Sequence, residues 1–591
     1  MVFKNIFEDL NISRNDFSYL LILTVFNIII TYVLINHNLN LGIYCSDVFV
    51  YLTNSLTFAG FKSSNVYLHL SPLICFLTSI LFRLGFLSET SLYAVTGLFC
   101  ILGNIGIYVF LKNRFSSLLS LCGAFLFGTF SLNLLWWANG TLDIPAVSLS
   151  IWAMLFTVLA IDKDSKYYIL AISLLVLAIF TRYTALFLIP LILLYYLSYH
   201  DFFTNFDLLF NDRGGLLGKV KSYLKSNEFR NILKSFAFAV VLIMIFSALI
   251  LSFGSHLSFL TQSSEFASGF KGEVMDNAYT ADTFFYLHDF PNFLFSDYVS
   301  LDDVIPVLNG SNFVSYFLIG VFALGIILFI YGLFSHVDEN KLKGDTKTRI
   351  RNAKDKSSKY SNKHFKSFAW ILVVLLLIAS ILSFKINSLI TLTILLVDFV
   401  ILFALLKKNG FDREDYALNI LMLAWFLVYF IFFTFLNIKV NRYIITVFPA
   451  FIYFAIYALN GILDWSKEHK LEFKSKNILG IIPIILIIFC IFSALSFPAT
   501  VHYNEDFNNN KVMAEYLIDY DPDYASKEVA VFHQRSLNWF LKTNTVALTD
   551  DQLDYLEASN TTYYISDDNF KLENYAMIHQ ENGLYLYERI S

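Results

Sequence analysis

Five charged residues stand out because each lies beside a long apolar run. Two are acids, Asp47 in "GIYCSDVFVYLTNSLTFAG" (42–60) and Asp143 in "WWANGTLDIPAVSLS" (136–150). Three are bases: Arg182 in "FTRYTALFLIP" (180–190), and Lys439 and Arg442 in "LNIKVNRYIITVFPAF" (436–451). A carboxylate can take a proton from an attacking hydroxyl, and a guanidinium fork holds phosphate oxygens in pairs. Residues of these types could supply a base and a binding site for an anion.

The composition indicates that these residues belong to a membrane protein. Of 591 residues, 57% are hydrophobic and 15% are charged, with 63 Phe and 35 Tyr, which is too apolar for a soluble chain of this size. The first apolar run has no small-residue cleavage site after it, so we interpret it as an anchor rather than a signal peptide. The five Cys lie in or beside apolar runs, with neither a disulfide framework nor zinc spacing.

Apolar runs of the length that spans a bilayer recur along the chain. We predict about 13 transmembrane helices, at Tyr19–Ile35, Leu92–Leu111, Leu118–Leu135, Ile144–Ile161, Tyr168–Phe180, Ala185–Leu197, Ser235–Phe253, Phe313–Phe334, Phe368–Ser383, Leu389–Leu406, Ala417–Leu436, Ile444–Leu463 and Ile478–Phe497. A further apolar stretch, Leu68–Leu87, contains Pro72 and Arg83. We interpret it as a juxtamembrane or re-entrant segment of the first external loop.

The distribution of Lys and Arg supports that interpretation. With the amino terminus inside, the basic loops 200–234 and 335–367 are cytoplasmic, as the positive-inside rule requires. Loop 254–311 is then external, and it carries eight Asp and Glu against a single Lys271. If Leu68–Leu87 crossed the membrane, every later loop would change sides. The predicted topology places all five charged residues of the opening paragraph at the external face.

Each of these residues also has a simpler explanation. Asp47 could be a solvated loop acid, and Asp143 could only cap the helix that Pro145 begins. Arg442 and Lys439 could reach the lipid headgroups, and Arg182 could pair with a lipid or an external acid. The sequence alone leaves these alternatives open.

The last 94 residues (498–591) differ from the rest because they are polar and rich in Tyr. "EVAVF", "TTYYIS" and "GLYLYERI" are predicted strands, and "RSLNWFLK" and "DDQLDYLEA" are predicted helices. We therefore predict two domains, a transmembrane domain at 1–497 and a small extracytoplasmic α/β domain at 498–591. The second domain shows no phosphate-binding loop, Ser-His-Asp order or metal motif.

The order of these motifs resembles a known superfamily. An external loop with an early acid ("SDVFVY"), a juxtamembrane stretch ("HLSPLICFLTSILFRLG"), an acid at a helix start ("GTLDIP"), the "TRYTALFLIP" hairpin and the turn "KVNRYIITVFP" are similar to the GT-C membrane glycosyltransferases. The nearest group is that of the protein O-mannosyltransferases and lipid A aminoarabinose transferases. The chain departs from the protein mannosyltransferases at Val48, where their paired Asp-Glu has its second acid.

The resemblance implies a glycosyltransferase that takes a sugar from a polyprenyl-phosphate donor, dolichyl or undecaprenyl, by inverting displacement with an Asp base. It implies Asp47 and Asp143 as catalytic carboxylates, and Arg442, Lys439, Arg182 and Tyr51 as substrate-binding residues. The acceptor is a lipid, glycan or protein, the other partners are membrane lipids, and no nucleic acid is expected. No cofactor is predicted, and a divalent metal stays open. The enzyme would be a multi-pass protein of the cell membrane that acts at its external face.

Two other classes stay open. A transporter or flippase of lipid-linked glycans should carry charges near the midplane of the membrane, where Asp398 in "LLVDFVILF" is the clearest acid. A structural or sensor protein would use the tail as a receptor domain. The glycosyltransferase is distinguished from these two classes by whether Asp47, Asp143 and Arg442 converge at one external site.

Overall fold

A computed structural model describes residues 7–61, 68, 70–199, 221–253, 282–301, 305–309, 313–348, 371–383, 388–408, 413–436, 439–469, 472–473, 476–499, 505–548 and 552–590. Most of the acidic loop 254–311 and much of the basic loops 200–234 and 335–367 lie outside these residues. The predictions made from those loops therefore rest on sequence alone.

The described chain is mostly helical. Its helices are α1 (Asp16–Leu41), α2 (Ser46–Ala59), α3 (Pro72–Arg83), α4 (Glu89–Lys112), α5 (Ser117–Thr129), α6 (Ser131–Trp136), α7 (Asp143–Asp162), α8 (Tyr168–Thr181), α9 (Leu188–Tyr199), α10 (Asn227–Ser252), α11 (Phe285–His288), α12 (Phe290–Leu294), α13 (Phe313–Thr348), α14 (Ile371–Ser383), α15 (Ser388–Lys408), α16 (Arg413–Phe435), α17 (Phe448–Glu468), α18 (Ile482–Ser496), α19 (Glu505–Tyr520), α20 (Gln534–Phe540) and α21 (Leu553–Ala558). Short 3-10 turns at Tyr183–Phe187 and Asn441–Val447 lead into α9 and α17.

Each predicted span falls on an apolar helix. Within the described ranges, eight helices are long and apolar enough to cross a membrane: α1, α4, α7, α10, α13, α16, α17 and α18, some with flanking turns. Five shorter apolar helices, α5, α8, α9, α14 and α15, cover the other predicted spans. The prediction of a continuous helix over Leu118–Leu135 is wrong, because extended backbone at Phe130 separates α5 from α6.

The Leu68–Leu87 stretch forms α3, a 12-residue helix with Pro72 in its first turn. Twelve residues rise about 18 Å, which is less than the roughly 30 Å of a hydrocarbon core. This short helix packs with α2 in an apolar cluster that includes Phe49, Ile74 and Phe82. The two helices together follow the first long helix, as the prediction of juxtamembrane helices in the first loop requires.

The packing separates an inner from an outer set of spans. Helices α7 and α17 are buried along most of their length, whereas α1, α10, α13 and α18 bury less than a third of their most apolar window. Apolar side chains that face outward suit contact with lipid tails, because the bilayer core is as apolar as they are. The inner helices are packed against other helices along most of their length. Their ends are therefore held in fixed positions by the surrounding protein.

A five-stranded sheet lies near the carboxyl terminus. Its strands are β5 (Val529–Val531), β6 (Val546–Ala547), β7 (Tyr563–Ser566), β8 (Tyr575–Glu581) and β9 (Leu584–Arg589), in the order β6-β5-β7-β9-β8. Strand β5 pairs in parallel with β6 and β7, and β9 is antiparallel to β7 and β8. Two antiparallel pairs lie earlier in the chain, β1 (Asp297–Leu301) with β2 (Ile305–Asn309), and β3 (Glu472–Phe473) with β4 (Lys476–Asn477).

The predicted strands β5, β7 and β9 and the predicted helices α20 and α21 are present, whereas the sequence analysis missed α19, β6 and β8. We call residues 505–548 and 552–590 the C-terminal unit. Its sheet packs on two apolar clusters of its own, one around Val531 and one around Tyr564. The division of the chain into domains at residue 498 stays a prediction.

Candidate active site

Asp47 and Arg442 form an ion pair although they lie 395 residues apart in the chain. Asp47 is in the first turn of α2, and Arg442 is in the 3-10 turn before α17. Arg442 Nη2 donates to Asp47 Oδ2 at 2.7 Å, and Nη1 lies 2.6 Å from Cys45 Sγ. The Asp47 side chain is 38% exposed and that of Arg442 is 7% exposed. The pair therefore has a buried cation and a carboxylate that solvent can reach.

Asp143 lies between two arginines. It is the first residue of α7, and its side chain is 1% exposed. Arg182 Nε is 3.0 Å from Asp143 Oδ1, and Arg442 Nε is 3.4 Å from Asp143 Oδ2. Neither Asp143 oxygen has a hydrogen-bond partner among the described residues, so these contacts are ion pairs without hydrogen-bond alignment. Because neither oxygen accepts a hydrogen bond from the first turn of α7, the explanation of Asp143 as a helix cap loses support.

The local fold explains why these groups meet. Asp47 and Asp143 lie in the first turns of helices, where the helix dipole favours a negative charge. Arg182 directly follows α8, at the end that favours a positive charge. Backbone at Arg182 is extended, so the helix stops and the side chain turns toward Asp143. Four segments that are distant in sequence thus end at one place.

Aromatic rings line the charge cluster, which consists of Asp47, Asp143, Arg182 and Arg442. The Arg182 guanidinium lies 4.9 Å from the ring centre of Tyr443, and that of Arg442 lies 5.5 Å from the ring centre of Trp136. Both distances are within the range of cation–π attraction. Tyr51, one turn beyond Asp47 on α2, is buried within electrostatic reach of the cluster. These rings limit water around the guanidinium groups, which strengthens their interactions with anions.

The electrostatic balance favours an ionised Asp47. Burial disfavours the charged form of this carboxyl, but the charge and hydrogen bond of Arg442 outweigh burial, so the pKa of Asp47 is lowered. Arg182 and Arg535 act in the same direction. Asp47 is therefore a carboxylate near neutral pH.

Lys439 is not part of the charge cluster, although it lies only three residues before Arg442. Its Nζ donates to the backbone carbonyls of Phe433 and Thr434, at the carboxyl end of α16. It also lies 5.8 Å from the ring centre of Tyr286. Lys439 thus caps a helix, and its predicted role in substrate binding has no support from the geometry.

Arg535 is the residue that the sequence analysis missed. It lies on α20 in the C-terminal unit, and its Nη1 is 3.8 Å from Asp47 Oδ1. No motif marked it, because its partner is 488 residues away and its own segment is polar. With Arg535 the site holds three guanidinium groups against two carboxylates, which leaves one positive charge in excess for an anionic ligand.

An apolar groove of about 710 Å³ lies between α8, α9 and α10. Phe180 and Tyr183, on either side of Arg182 in the sequence, both line it. The other walls are mostly aliphatic and aromatic side chains, such as Leu186, Ile189 and Ile243. A groove of this composition accepts a hydrocarbon chain rather than a polar ligand.

The described residues contain no group of three or more His, Cys, Asp or Glu side chains placed to hold a metal ion. Around Asp47 and Asp143, guanidinium groups face the carboxylate oxygens. The residues present therefore do not fit a divalent cation in this arrangement. Arginine supplies the positive charge that neutralises the two acids.

A family model described as dolichyl-phosphate-mannose-protein mannosyltransferase matches residues 69–206, which include Asp143 and Arg182. No curated protein matches the chain. Among solved structures, the chain is similar to ArnT from Cupriavidus metallidurans in the apo state, with a TM-score of 0.51 and 11% identity over 96% of this chain and 97% of that chain. The same protein bound to undecaprenyl phosphate gives a TM-score of 0.52 at 10% identity, over 96% and 98% of the two chains.

At these identities the likeness to the solved structures concerns the fold. The fold and the family match together confirm the resemblance to the GT-C membrane glycosyltransferases that the motifs indicated. The chain is a polytopic helical membrane protein with a small C-terminal sheet.

Proposed function

We propose that this protein is a membrane glycosyltransferase that moves a sugar from a polyprenyl-phosphate donor, dolichyl or undecaprenyl, to an acceptor hydroxyl at the extracytoplasmic face. The observation that carries the proposal is the convergence of Asp47, Asp143, Arg182 and Arg442 at one end of the helical bundle. Buried charges in a membrane protein are costly and mark functional sites. A base beside phosphate-binding groups is what glycosyl transfer from a lipid phosphate requires.

Asp47 is the proposed general base. Its side chain is 38% exposed, whereas that of Asp143 is 1% exposed, so an acceptor can reach the first and not the second. In the proposed step the acceptor oxygen bonds to the anomeric carbon, the bond from that carbon to the phosphate oxygen breaks, and Asp47 takes the acceptor proton. Attack opposite to the phosphate inverts the anomeric centre.

Asp143 has a different role in this mechanism. It lies between Arg182 and Arg442 and fixes the direction of both guanidinium groups. A residue buried in this way positions its partners rather than exchanging a proton with the acceptor. Its predicted assignment as a catalytic carboxylate is therefore replaced here by a positioning role.

Arg442 and Arg182 are proposed to bind the donor phosphate. Arg182 contacts Asp143 through Nε, so this ion pair does not use its two terminal nitrogens. Those nitrogens form the fork that suits a phosphate. They can also stabilise the charge that develops on the leaving phosphate.

The groove beside Arg182 suits the prenyl tail of the same donor. Its walls carry Phe180 and Tyr183, and Arg182 lies between these two residues in the sequence. A ligand with an anionic head and a hydrocarbon tail can therefore occupy the cluster and the groove together. ArnT, whose fold this chain shares, has been seen bound to undecaprenyl phosphate.

Basic residues at the end of the helical bundle opposite the site indicate which side of the membrane the site faces. Helices α4 and α7 begin near the site and end at Lys112 and Asp162, and α8 starts at that opposite end. Lys163 and Lys166 join α7 to α8 there. Contacts between the starts of α8 and α10 bring Arg230 to the same end. By the positive-inside rule, these basic residues support a cytoplasmic position for this end and an extracytoplasmic position for the site.

A transporter or flippase has less support. Asp398 is buried on α15, and its Oδ1 has no hydrogen-bond partner among the described residues. No described charged group pairs with it, and none of the ion pairs of the cluster includes it. A single acid at that depth does not supply the pathway of polar groups that transport requires.

The test is turnover by the purified full chain with a panel of polyprenyl-phosphate sugars and with lipid, glycan and peptide acceptors. We expect transfer of labelled sugar from at least one donor, with inversion at the anomeric carbon. The matched measurement is movement of lipid-linked glycan across vesicles that contain the protein. Movement across vesicles without any transfer would replace the glycosyltransferase by the flippase.

A further inference from the structure

Helix α20 is the part of the C-terminal unit that docks against the juxtamembrane helices. Trp539 is fully buried, and its ring stacks on Phe82 of α3 at 5.7 Å between centres. Its Nε1 donates to Glu89 Oε1 at 2.6 Å, in the first turn of α4. The ring of Phe540 meets that of Phe49 on α2 edge to face at 5.5 Å. One short helix thus contacts α2, which carries Asp47, and the two helices that follow it, α3 and α4.

This docking brings Arg535 to the site. Arg535 lies one turn before Trp539 on α20, and residues four apart share a helix face. Its Nη1 donates to Ser46 Oγ at 3.1 Å and lies 3.8 Å from Asp47 Oδ1. The side chain is 49% exposed, so it lies at the mouth of the site rather than inside it.

Asp47 has a cation on each of its oxygens. Arg442 bonds Oδ2 at 2.7 Å, and Arg535 faces Oδ1. Five other titratable or charged groups lie around it: Arg182 after α8, Asp143 on α7, Cys45 just before α2, Tyr51 on α2 and Tyr443 in the turn before α17. Among the cations, Arg535 is the one that comes from the C-terminal unit.

We infer that Arg535 is a positioning residue for Asp47, and that the C-terminal unit docks through α20 to complete the active site. The inference rests on the proposed function, because it assigns a purpose to the environment of the proposed base. Without Arg535 the carboxylate would keep Arg442 on one oxygen but would lose the positive charge at the other. The base would then take up a proton at higher pH, since the cation favours the charged form.

The test follows the protonation of Asp47 directly. The infrared band of the protonated Asp47 carboxyl, identified by its absence in Asp47→Asn, is titrated in the full chain, in Arg535→Ala, in Arg535→Lys and in Lys571→Ala. Lys571 is an exposed cation of the same unit and serves as the matched control. We expect the midpoint to rise by roughly 0.5 pH unit in Arg535→Ala, the size that a half-exposed ion pair supplies. Arg535→Lys should restore most of the difference, and Lys571→Ala should match the parent.

Sugar transfer is measured over the same pH range. The acidic limb of the turnover profile should move upward with the infrared midpoint in Arg535→Ala, with no such movement in Lys571→Ala. An unchanged midpoint in a folded Arg535→Ala protein would overturn the role of Arg535, even if the parent transfers sugar. A shifted midpoint in a chain that transfers no sugar from any donor would instead support Arg535 and reject the proposed function.

Discussion

At the scale of single residues, exposure separates the roles of groups that sequence alone treats as equals. Asp47 and Asp143 are both acids at helix starts, yet only the Asp47 side chain is exposed enough for solvent to reach it. Arg442 and Lys439 are three residues apart, yet only Arg442 faces the two acids. Which partner each side chain meets decides what its substitution should change.

Asp47→Asn tests the general base. Asparagine keeps the shape and polarity of the side chain but cannot take the acceptor proton. We expect normal folding and donor binding, with turnover reduced at least about a hundredfold, the lower end of what general base catalysis contributes. The measurement is transfer of labelled sugar, with donor binding assayed in parallel. Near-normal transfer would remove Asp47 from the mechanism.

Arg442→Ala tests the phosphate contact. Loss of a charge-assisted hydrogen bond should weaken donor binding about 10- to 100-fold. Arg442→Lys should recover only part of the affinity, because an ammonium cannot reproduce the guanidinium fork. The control is Arg114→Ala, which removes an arginine just beyond the end of α4 opposite the site. If both Arg442 variants bind polyprenyl phosphate as the parent does, Arg442 is only an interfacial anchor.

Lys439→Met separates the capping lysine from the site. Methionine fills the same buried space without the ammonium that meets the Phe433 and Thr434 carbonyls. We expect donor affinity within about twofold of the parent, in contrast to the loss in Arg442→Ala. Thermal unfolding of the same samples checks that the fold is kept. A tenfold loss of donor affinity in a folded Lys439→Met protein would return Lys439 to the substrate-binding residues.

At the scale of elements, the site exists because helix ends meet. The starts of α2 and α7, the residue after α8 and the turn before α17 each bring one charged group. Their positions depend on close packing between the inner helices. Where two backbones touch, the sequence carries glycine, since a side chain would hold them apart.

Gly325 shows this dependence at the contact of α13 with α17. A Cβ at this position would collide with the Phe454 backbone carbonyl oxygen, whereas a Cβ at Gly320, on the same helix, would meet nothing within 4 Å. We expect Gly325→Ala to destabilise the protein by about 1–3 kcal/mol through overpacking. Gly320→Ala should be neutral or slightly stabilising, because alanine favours helix. Thermal unfolding in detergent compares the stability of the two variants. Equal changes in stability would show that α13 and α17 can move apart without a cost in free energy.

At the scale of the whole molecule, the site and the C-terminal unit lie at the same end of the bundle. Arg535 donates to Ser46, next to Asp47, and Trp539 donates to Glu89, so the unit lies on the same side of the membrane as the candidate site. Basic segments at the opposite end favour the proposed extracytoplasmic position of that side. The two ends can be distinguished in intact cells.

Single cysteines at two exposed lysines test this orientation. Lys571 lies in the C-terminal unit, and Lys166, with a side chain 73% exposed, lies at the opposite end of the bundle. We expect an impermeant thiol reagent to label Lys571→Cys in intact cells and Lys166→Cys only after permeabilisation. The parent, whose five cysteines are buried or half-buried, gives the background. The reverse pattern would place the site in the cytoplasm and exclude an external lipid-linked donor.

The sequence by itself determined the class, the positions of most apolar helices and four charged residues that the structure brings together. Long apolar runs fix the helices of a membrane protein, because a backbone in lipid must satisfy its own hydrogen bonds. The juxtamembrane nature of Leu68–Leu87 followed from charge distribution, and the structure has α3 there. Asp47, Asp143, Arg182 and Arg442 stood out because a charge beside an apolar run needs a partner.

Only the tertiary structure decided which partners those charges have. Arg535 and Lys439 show the reason: one lies in a polar tail and reaches Asp47 across 488 residues, and the other lies beside Arg442 but turns to the end of α16. Periodicity and charge report the local environment of a residue along the chain. Long-range contacts depend on how helix ends and the C-terminal unit pack, which the local pattern does not encode. The difference in exposure between Asp47 and Asp143 likewise comes from helix packing, which no motif records.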